Sequence, residues 1–116
     1  MAWKPISEGE LRALVFREIA ACSAEQQTFF QQARIAYAKW RLAPWGDEGG
    51  GFWVVAVHLD QVLWYNDIED GFNVSRFETQ GEIPSDEYRC NQDSLCQALP
   101  QLQGRPGSRL SAPESV

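Results

Sequence analysis

The sequence predicts an α+β fold, in which an antiparallel meander of three to four strands packs against two N-terminal helices and one C-terminal helix. Two observations predict this architecture. Apolar residues recur at helical spacing as far as Ala33, and beyond it they follow strand patterns. The later apolar stretches are separated by short turns, which favours pairing between strands that are neighbours in sequence. Only the terminal helices remain to cover such a sheet.

Two capping boxes mark the starts of the N-terminal helices. Ser7 with Glu10, and Ser23 with Gln26, have the spacing at which each side chain satisfies the other residue's backbone amide. The apolar face of the first helix comprises Leu11, Leu14, Val15, Ile19 and Cys22, and that of the second comprises Phe29, Phe30 and Ala33. We therefore expect two short helices joined at Cys22 and Ser23, with one bent helix as the alternative.

Four segments have strand patterns, at about 34–42, 52–59, 62–66 and 72–78. The first alternates, with Ala36, Ala38, Trp40 and Leu42 on one face, which is typical of a strand with one wet face. The second is almost entirely apolar, as in a central strand covered on both faces. Strict alternation along it places His58 on the face that carries Phe52, Val54 and Ala56.

Short polar sequences predict the turns between these strands. Asp60-Gln61 separates the second strand from the third. Gly71 ends the next corner, where we expect it to supply a positive φ. Residues 82–90 contain Pro84 and little pattern, which indicates an edge strand or a loop.

A last helix is expected after Asn91 or Asp93, either of which can act as its N-cap. Its inward residues are Leu95, Ala98, Leu99 and Leu102. Pro100 is expected to weaken or kink its end. Residues 1–103 then form a single domain, and the Pro-, Gly- and Ser-rich residues 104–116 are expected to be a disordered tail.

The cysteines and the hydropathy pattern indicate the cellular compartment in which we expect the protein. Cys22, Cys90 and Cys96 form an odd, small set, for which we expect reduced thiols. The residues after Met1 lack the apolar core of a signal peptide, and the longest apolar run, 52–57, is far shorter than the ~20 residues that cross a bilayer. These features favour a cytoplasmic protein of bacterial style without a membrane segment.

Negative charge is concentrated in one part of the chain. Residues 47–103 contain eleven acidic and two basic residues, a net charge of −9, although the whole chain carries only −6. This field repels phosphate, so nucleic acid and anionic membrane surfaces are not expected partners. It favours encounter with a basic protein, while solubility alone is the simpler explanation of the same charge. No cofactor motif is present, and none is expected.

Acidic residues gather at the turn from Asp67 to Asn73. As a cation site, it would use oxygen ligands from Asp67, Glu69, Asp70 and Asn73, although the spacing is not that of an EF-hand loop. As a small hydrolase or lyase, the protein would use His58, its only histidine, with Asp67, Glu69 or Asp70. A purely structural turn is the favoured interpretation of this sequence.

The preferred functional hypothesis is a non-catalytic, acidic protein-interaction domain, of which an immunity- or antitoxin-like protein is one instance. Trp45 lies between Pro44 and Gly46 and is the best candidate for an exposed aromatic contact. The expected partner-binding residues are Trp45, Asp47, Glu48, Asp67, Glu69 and Asp70. The oligomeric state is left open by the sequence.

Overall fold

A computed structural model describes residues 4–104 and contains three helices and one four-stranded antiparallel sheet. The helices are α1 (Glu8–Ile19), α2 (Ala24–Ala33) and α3 (Leu95–Gln103). The strands are β1 (Arg34–Trp40), β2 (Phe52–His58), β3 (Gln61–Asn66) and β4 (Gly71–Arg76), paired in that order. The predicted α+β meander is confirmed. The tail expected over 104–116 lies outside the described residues except for Gly104, which caps α3 with a φ of 72°.

Each face of the sheet has its own apolar core. The three helices cover one face, where the buried side chains include Leu11, Phe30, Val55, Leu63, Phe72 and Leu99. The opposite face buries Trp40, Leu42, Phe52, Val54, Val62, Trp64 and Ile83. Phe77 and Tyr88 pack against this second core, so the irregular segment that follows β4 covers the face without helices. The 82–90 segment is thus a loop, with an isolated bridge at Glu82.

All three helices begin with a capping box. Those at Ser7 and Ser23 agree with the sequence analysis, and α1 and α2 are separate helices as expected. The prediction of Asn91 or Asp93 as the third N-cap is wrong, because Ser94 caps α3 together with Gln97. Asn91 and Asp93 instead bind β4: the Phe72 amide donates to the Asp93 carbonyl at 2.9 Å.

A bulge in β2 changes which side chains share a face. The register of β2 against β3 shifts between Val54 and Ala56, and Val55 and Ala56 both enter the core beneath the helices. His58 therefore lies on the helix side and packs edge-on against Phe29, not on the face of Phe52 and Val54 as strict alternation predicted. A bulge adds one residue to one strand and so reverses the alternation beyond it.

Two turns differ in detail from the prediction. Leu59 and Asp60 connect β2 to β3, with Leu59 at a φ of 55°, so Gln61 already belongs to β3. At the corner before β4 the positive φ belongs to Asp70 and not to Gly71. Gly71 is required for a different reason: a Cβ there would overlap the backbone of the segment that lies against β4.

A disulfide joins Cys22 and Cys96, so the prediction of three reduced thiols is wrong for these two. It connects the junction between α1 and α2 to the first turn of α3, across 74 residues of sequence. Tertiary packing alone brings these cysteines together, and no local pattern reveals it. Cys90 is free and exposed. The cytoplasmic location stays a prediction, without the support of reduced thiols.

Pro100 lies inside α3, which continues to Gln103. Proline has no amide hydrogen, so it leaves the carbonyl four residues earlier without its helical donor. That carbonyl belongs to Cys96, and the side-chain amide of Gln26 donates to it at 2.9 Å. The same Gln26 side chain closes the capping box of α2, so one residue connects the start of α2 to the interior of α3.

Candidate functional site

The two acidic corners of the meander lie at the same end of the sheet. The β1–β2 connection contains Trp45, Asp47 and Glu48, and the β3–β4 turn contains Asp67, Glu69 and Asp70. In an antiparallel meander, alternate connections fall at the same end, so the order β1-β2-β3-β4 places both there. All six residues predicted to bind a partner are thus brought to one end, which we call the acidic end.

Tyr88 connects the two corners. Its ring stacks on Trp45 with the centroids 4.2 Å apart and the planes 8° from parallel. Its hydroxyl accepts a hydrogen bond of 3.0 Å from the side-chain amide of Asn66. The Asn66 carbonyl oxygen in turn accepts from the backbone amides of Ile68 and Glu69, which fixes the β3–β4 turn. The position of Trp45 is therefore coupled to the shape of the turn that carries the other carboxylates.

A second contact holds the loop of Tyr88 in place. The Ser85 hydroxyl donates to the Ala43 carbonyl at 2.7 Å, just before Trp45 in sequence. The exposed Asp86, which follows Ser85, lines a cleft with Asp60 and Glu78 and so lies toward the other end of the sheet. Glu87 lines the same cleft, where its carboxylate accepts the Arg76 amide at 2.9 Å and pairs with Arg89 at 3.3 Å.

The carboxylates of the acidic end have no ion-pair partner in the described chain. Ion pairs within residues 4–104 are Arg12–Glu8, Arg76–Asp60 and Arg89–Glu87. Lys39 of β1 donates to the Gly49 carbonyl and lies over the Trp53 ring. Asp47, Glu48 and Asp70 are exposed, so their charge faces solvent.

Asp67 has a structural bond that the sequence does not indicate. Its Oδ2 accepts the backbone amide of Ile6 at 2.7 Å, which fastens the segment before α1 to the turn. Its Oδ1 is buried and has no hydrogen-bond partner. Burial raises the pKa of the Asp67 carboxyl, the nearby charge of Asp70 adds to the rise, and the Ile6 amide opposes it.

Tyr65 lies beside the same carboxylates, next to a cleft of about 240 Å³ that Lys4 and Glu10 also line. Burial raises the pKa of Tyr65 to about 12, and the negative charges of Asp70 and Asp67 contribute to the rise. The phenol therefore keeps its proton at neutral pH. Tyr65 therefore lines the cleft as an uncharged side chain.

The structure does not bring together the four residues of the hypothesised cation site. Asn73 lies on β4 and is fully buried. Its carbonyl oxygen accepts the Asn91 amide at 2.9 Å, and its nitrogen donates to the Asn91 carbonyl at 3.0 Å. Asn73 thus ties a loop to the sheet edge, while Asp67 binds Ile6. Within the described residues, no group of three or more His, Cys, Asp or Glu side chains is placed to hold a metal ion.

His58 lies at the end of the sheet opposite the acidic carboxylates. It pairs with Gln61 where β2 turns into β3, whereas Asp67 follows the other end of β3. A six-residue strand spans roughly 17 Å at about 3.3 Å per residue. Acid–base catalysis through His58 with Asp67, Glu69 or Asp70 needs these groups within hydrogen-bond reach of one substrate, and this geometry separates them.

Comparisons with protein-family models, with curated proteins and with solved structures each find no match to this chain. In the part of the chain that the structure describes, no helix has the length and apolar character needed to cross a membrane. The geometry and charge of the acidic end are therefore the features of this protein that bear on its function.

Proposed function

We propose that this chain is a non-catalytic protein-interaction domain that binds a basic protein partner at the acidic end. One observation carries the proposal: Tyr88 stacks on Trp45 and bonds Asn66, and so holds an exposed aromatic ring at the end of the sheet where two corners carry carboxylates without ion-pair partners. Trp45 retains 40% of its surface exposed. An aromatic residue within a charged rim is the composition that protein-binding surfaces favour.

Charge supports a basic partner over the other classes. Carboxylates without ion-pair partners attract a basic surface over distances of about 10 Å and speed the encounter. They also select against acidic proteins and against nucleic-acid phosphates. An immunity- or antitoxin-like role, in which a small acidic protein covers a basic surface of a toxin, is one instance of this proposal.

The test uses a synthetic Lys- and Arg-rich peptide and an acidic peptide of equal length, titrated calorimetrically at low and high salt. We expect only the basic peptide to bind, with affinity that falls as salt rises. The Asp47→Asn/Glu48→Gln variant should bind it several-fold more weakly. Both side chains are exposed, so the variant should keep its fold.

The matched control removes the same charge away from the acidic end, in Glu25→Gln/Glu78→Gln. Glu25 lies in the first turn of α2 and Glu78 follows the end of β4, and both are exposed without an ion-pair partner among the described residues. This variant should bind nearly as tightly as the original protein at equal salt. Equal weakening in both variants would mean that net charge, and not the acidic end, attracts the peptide, and the proposal would be wrong.

A further inference from the structure

We infer that the anchor of the partner is an arginine side chain whose guanidinium stacks on the outer face of Trp45. This inference rests on the proposed function and specifies the chemistry that the acidic end recognises. Three observations support it: Tyr88 stacks on one face of the indole, exposed carboxylates follow Trp45 in sequence, and the cation–aromatic contacts between described residues involve other rings.

One face of the Trp45 ring is already covered. The Tyr88 ring lies 4.2 Å away and within 8° of parallel, so the two rings are stacked. Trp45 keeps 40% of its surface exposed, and among the described residues no ring other than Tyr88 is stacked on it. A flat, open aromatic face suits a flat ligand group.

The platform is held in place before any partner arrives. Tyr88 receives the Asn66 hydrogen bond, and Ser85 fixes the same loop to the residue two positions before Trp45. Asn66 is fully buried, so this support is not exposed to competing water. A preorganised ring loses little side-chain entropy on binding, which favours it as an anchor point.

The neighbouring carboxylates favour arginine over lysine. Asp47 and Glu48 follow Trp45 in a short helical turn, are exposed and form no ion pair in the described chain. A guanidinium stacks on an aromatic face with its own plane and still directs several N–H donors to carboxylates at its edge. An ammonium group is a compact point charge and cannot satisfy both demands with the same geometry.

The arginine nearest to the platform in sequence is engaged elsewhere. Arg89 follows Tyr88, but its guanidinium donates to the Tyr88 and Asp86 carbonyls and pairs with Glu87. The cation–aromatic contacts between described residues are Arg12 over Tyr37 and Lys39 over Trp53, and neither involves Trp45. The outer face of Trp45 is therefore available to a side chain from outside.

The test compares two peptides that differ only in having arginine or lysine at every basic position, titrated against the protein at low salt. Stacking on an exposed indole predicts roughly two- to fivefold tighter binding of the arginine peptide. Trp45→Leu should remove this preference, and Trp45→Tyr should retain part of it. Thermal unfolding of both variants checks that each is folded, and the aromatic Tyr variant serves as the matched partner of the Leu variant.

The outcomes separate this inference from the proposed function. If both peptides bind equally and the Asp47→Asn/Glu48→Gln variant weakens both, the acidic end binds basic partners and the arginine anchor is wrong. A preference for arginine that persists in Trp45→Leu also overturns the anchor. If neither peptide binds the original protein, the proposed function fails together with the inference.

Discussion

The side-chain amide of Asn66 donates to the Tyr88 hydroxyl across 3.0 Å, although 22 residues separate them in sequence. Asn66 is fully buried at the end of β3, and its amide also donates to the Arg89 carbonyl at 2.9 Å. Buried amides that use both donors and the acceptor are costly to disturb. This side chain therefore makes the acidic end one structural unit: a change at Tyr88 affects both the Trp45 platform and the β3–β4 turn.

Two substitutions at Tyr88 separate its two roles. Tyr88→Phe removes the hydroxyl but keeps the stacked ring, so we expect a loss of about 1 kcal/mol in the free energy of unfolding and peptide binding close to normal. Tyr88→Leu removes the stack and should weaken binding of the arginine peptide as well. Urea unfolding and calorimetric titration measure the two effects. Equal peptide affinity of the Phe and Leu variants would contradict the role assigned to the stack.

Gly71 offers a direct test of the close approach at the β4 edge. An added methyl group would overlap the backbone of Asn91 and Gln92, so Gly71→Ala should destabilise the protein by about 1–3 kcal/mol. Gly9→Ala is the matched control, because a methyl group there meets nothing within 4 Å and alanine favours the helix. We expect the control to be neutral or to stabilise by up to ~1 kcal/mol in urea unfolding. If Gly71→Ala left the free energy of unfolding unchanged, the close approach of the Asn91 and Gln92 backbone to position 71 would be wrong.

The parts of the fold that depend on neighbouring residues could be predicted from the sequence. The capping boxes at Ser7 and Ser23 act across three residues, and the four strand patterns act within one strand. The face of His58 could not be predicted, because a single bulge between Val54 and Ala56 reverses it. Bulges are set by how two strands pair, and the alternation within one strand carries no trace of them.

In the candidate site, too, only the features that depend on neighbouring residues can be predicted from the sequence. The exposure of Trp45 and of Asp47 followed from their turn sequence, whereas Tyr88 stood in a stretch with little pattern. Its importance comes from contacts with Trp45 and Asn66, which are distant in sequence. The Cys22–Cys96 bond was missed for the same reason, since 74 residues lie between the two thiols. Tertiary contacts of this kind require the folded structure.

Reduction of the disulfide should lower stability. Closing a loop of 74 residues restricts the unfolded chain, and native disulfides in small domains contribute ~2–4 kcal/mol. We expect dithiothreitol to lower the urea midpoint of the original protein and of Cys90→Ser. The Cys22→Ser/Cys96→Ser variant should start at the lower midpoint and not respond to the reductant. A midpoint that reductant leaves unchanged in the original protein would contradict the disulfide.

The raised pKa of Asp67 predicts the direction in which its contribution to folding stability changes with pH. Because burial raises the pKa of Asp67 above its ordinary value of 3.8, the folded state holds this proton more tightly than the unfolded chain. The stabilising contribution of the group is complete below the unfolded pKa and is lost as the pH rises through the folded pKa. Asn at this position keeps an acceptor for the Ile6 amide but cannot ionise.

The stability of Asp67→Asn relative to the original protein should therefore increase as the pH rises from about 3 to about 7. Urea unfolding of both proteins across this range measures the difference, in which the titration of groups that do not interact with Asp67 cancels. A difference that is constant, or that shrinks as the pH rises, would show that the folded state does not disfavour the Asp67 carboxylate.

Gln26 and Pro100 should be energetically coupled through the Cys96 carbonyl. Gln26→Ala removes the only side chain that donates to this carbonyl among the described contacts and also opens the capping box of α2, so we expect a loss of about 1–2 kcal/mol. In a Pro100→Ala background, the new backbone amide can donate to Cys96 as in a regular helix. Gln26→Ala should then cost about 1 kcal/mol less, because only the capping box is lost.

A double-mutant cycle by urea unfolding measures this coupling between Gln26 and Pro100. The control is Gln27→Ala, which should show no coupling to Pro100 because the Gln27 amide donates to the Ile19 and Cys22 carbonyls. Strictly additive effects of Gln26→Ala and Pro100→Ala would mean that the carbonyl freed by the proline does not depend on Gln26.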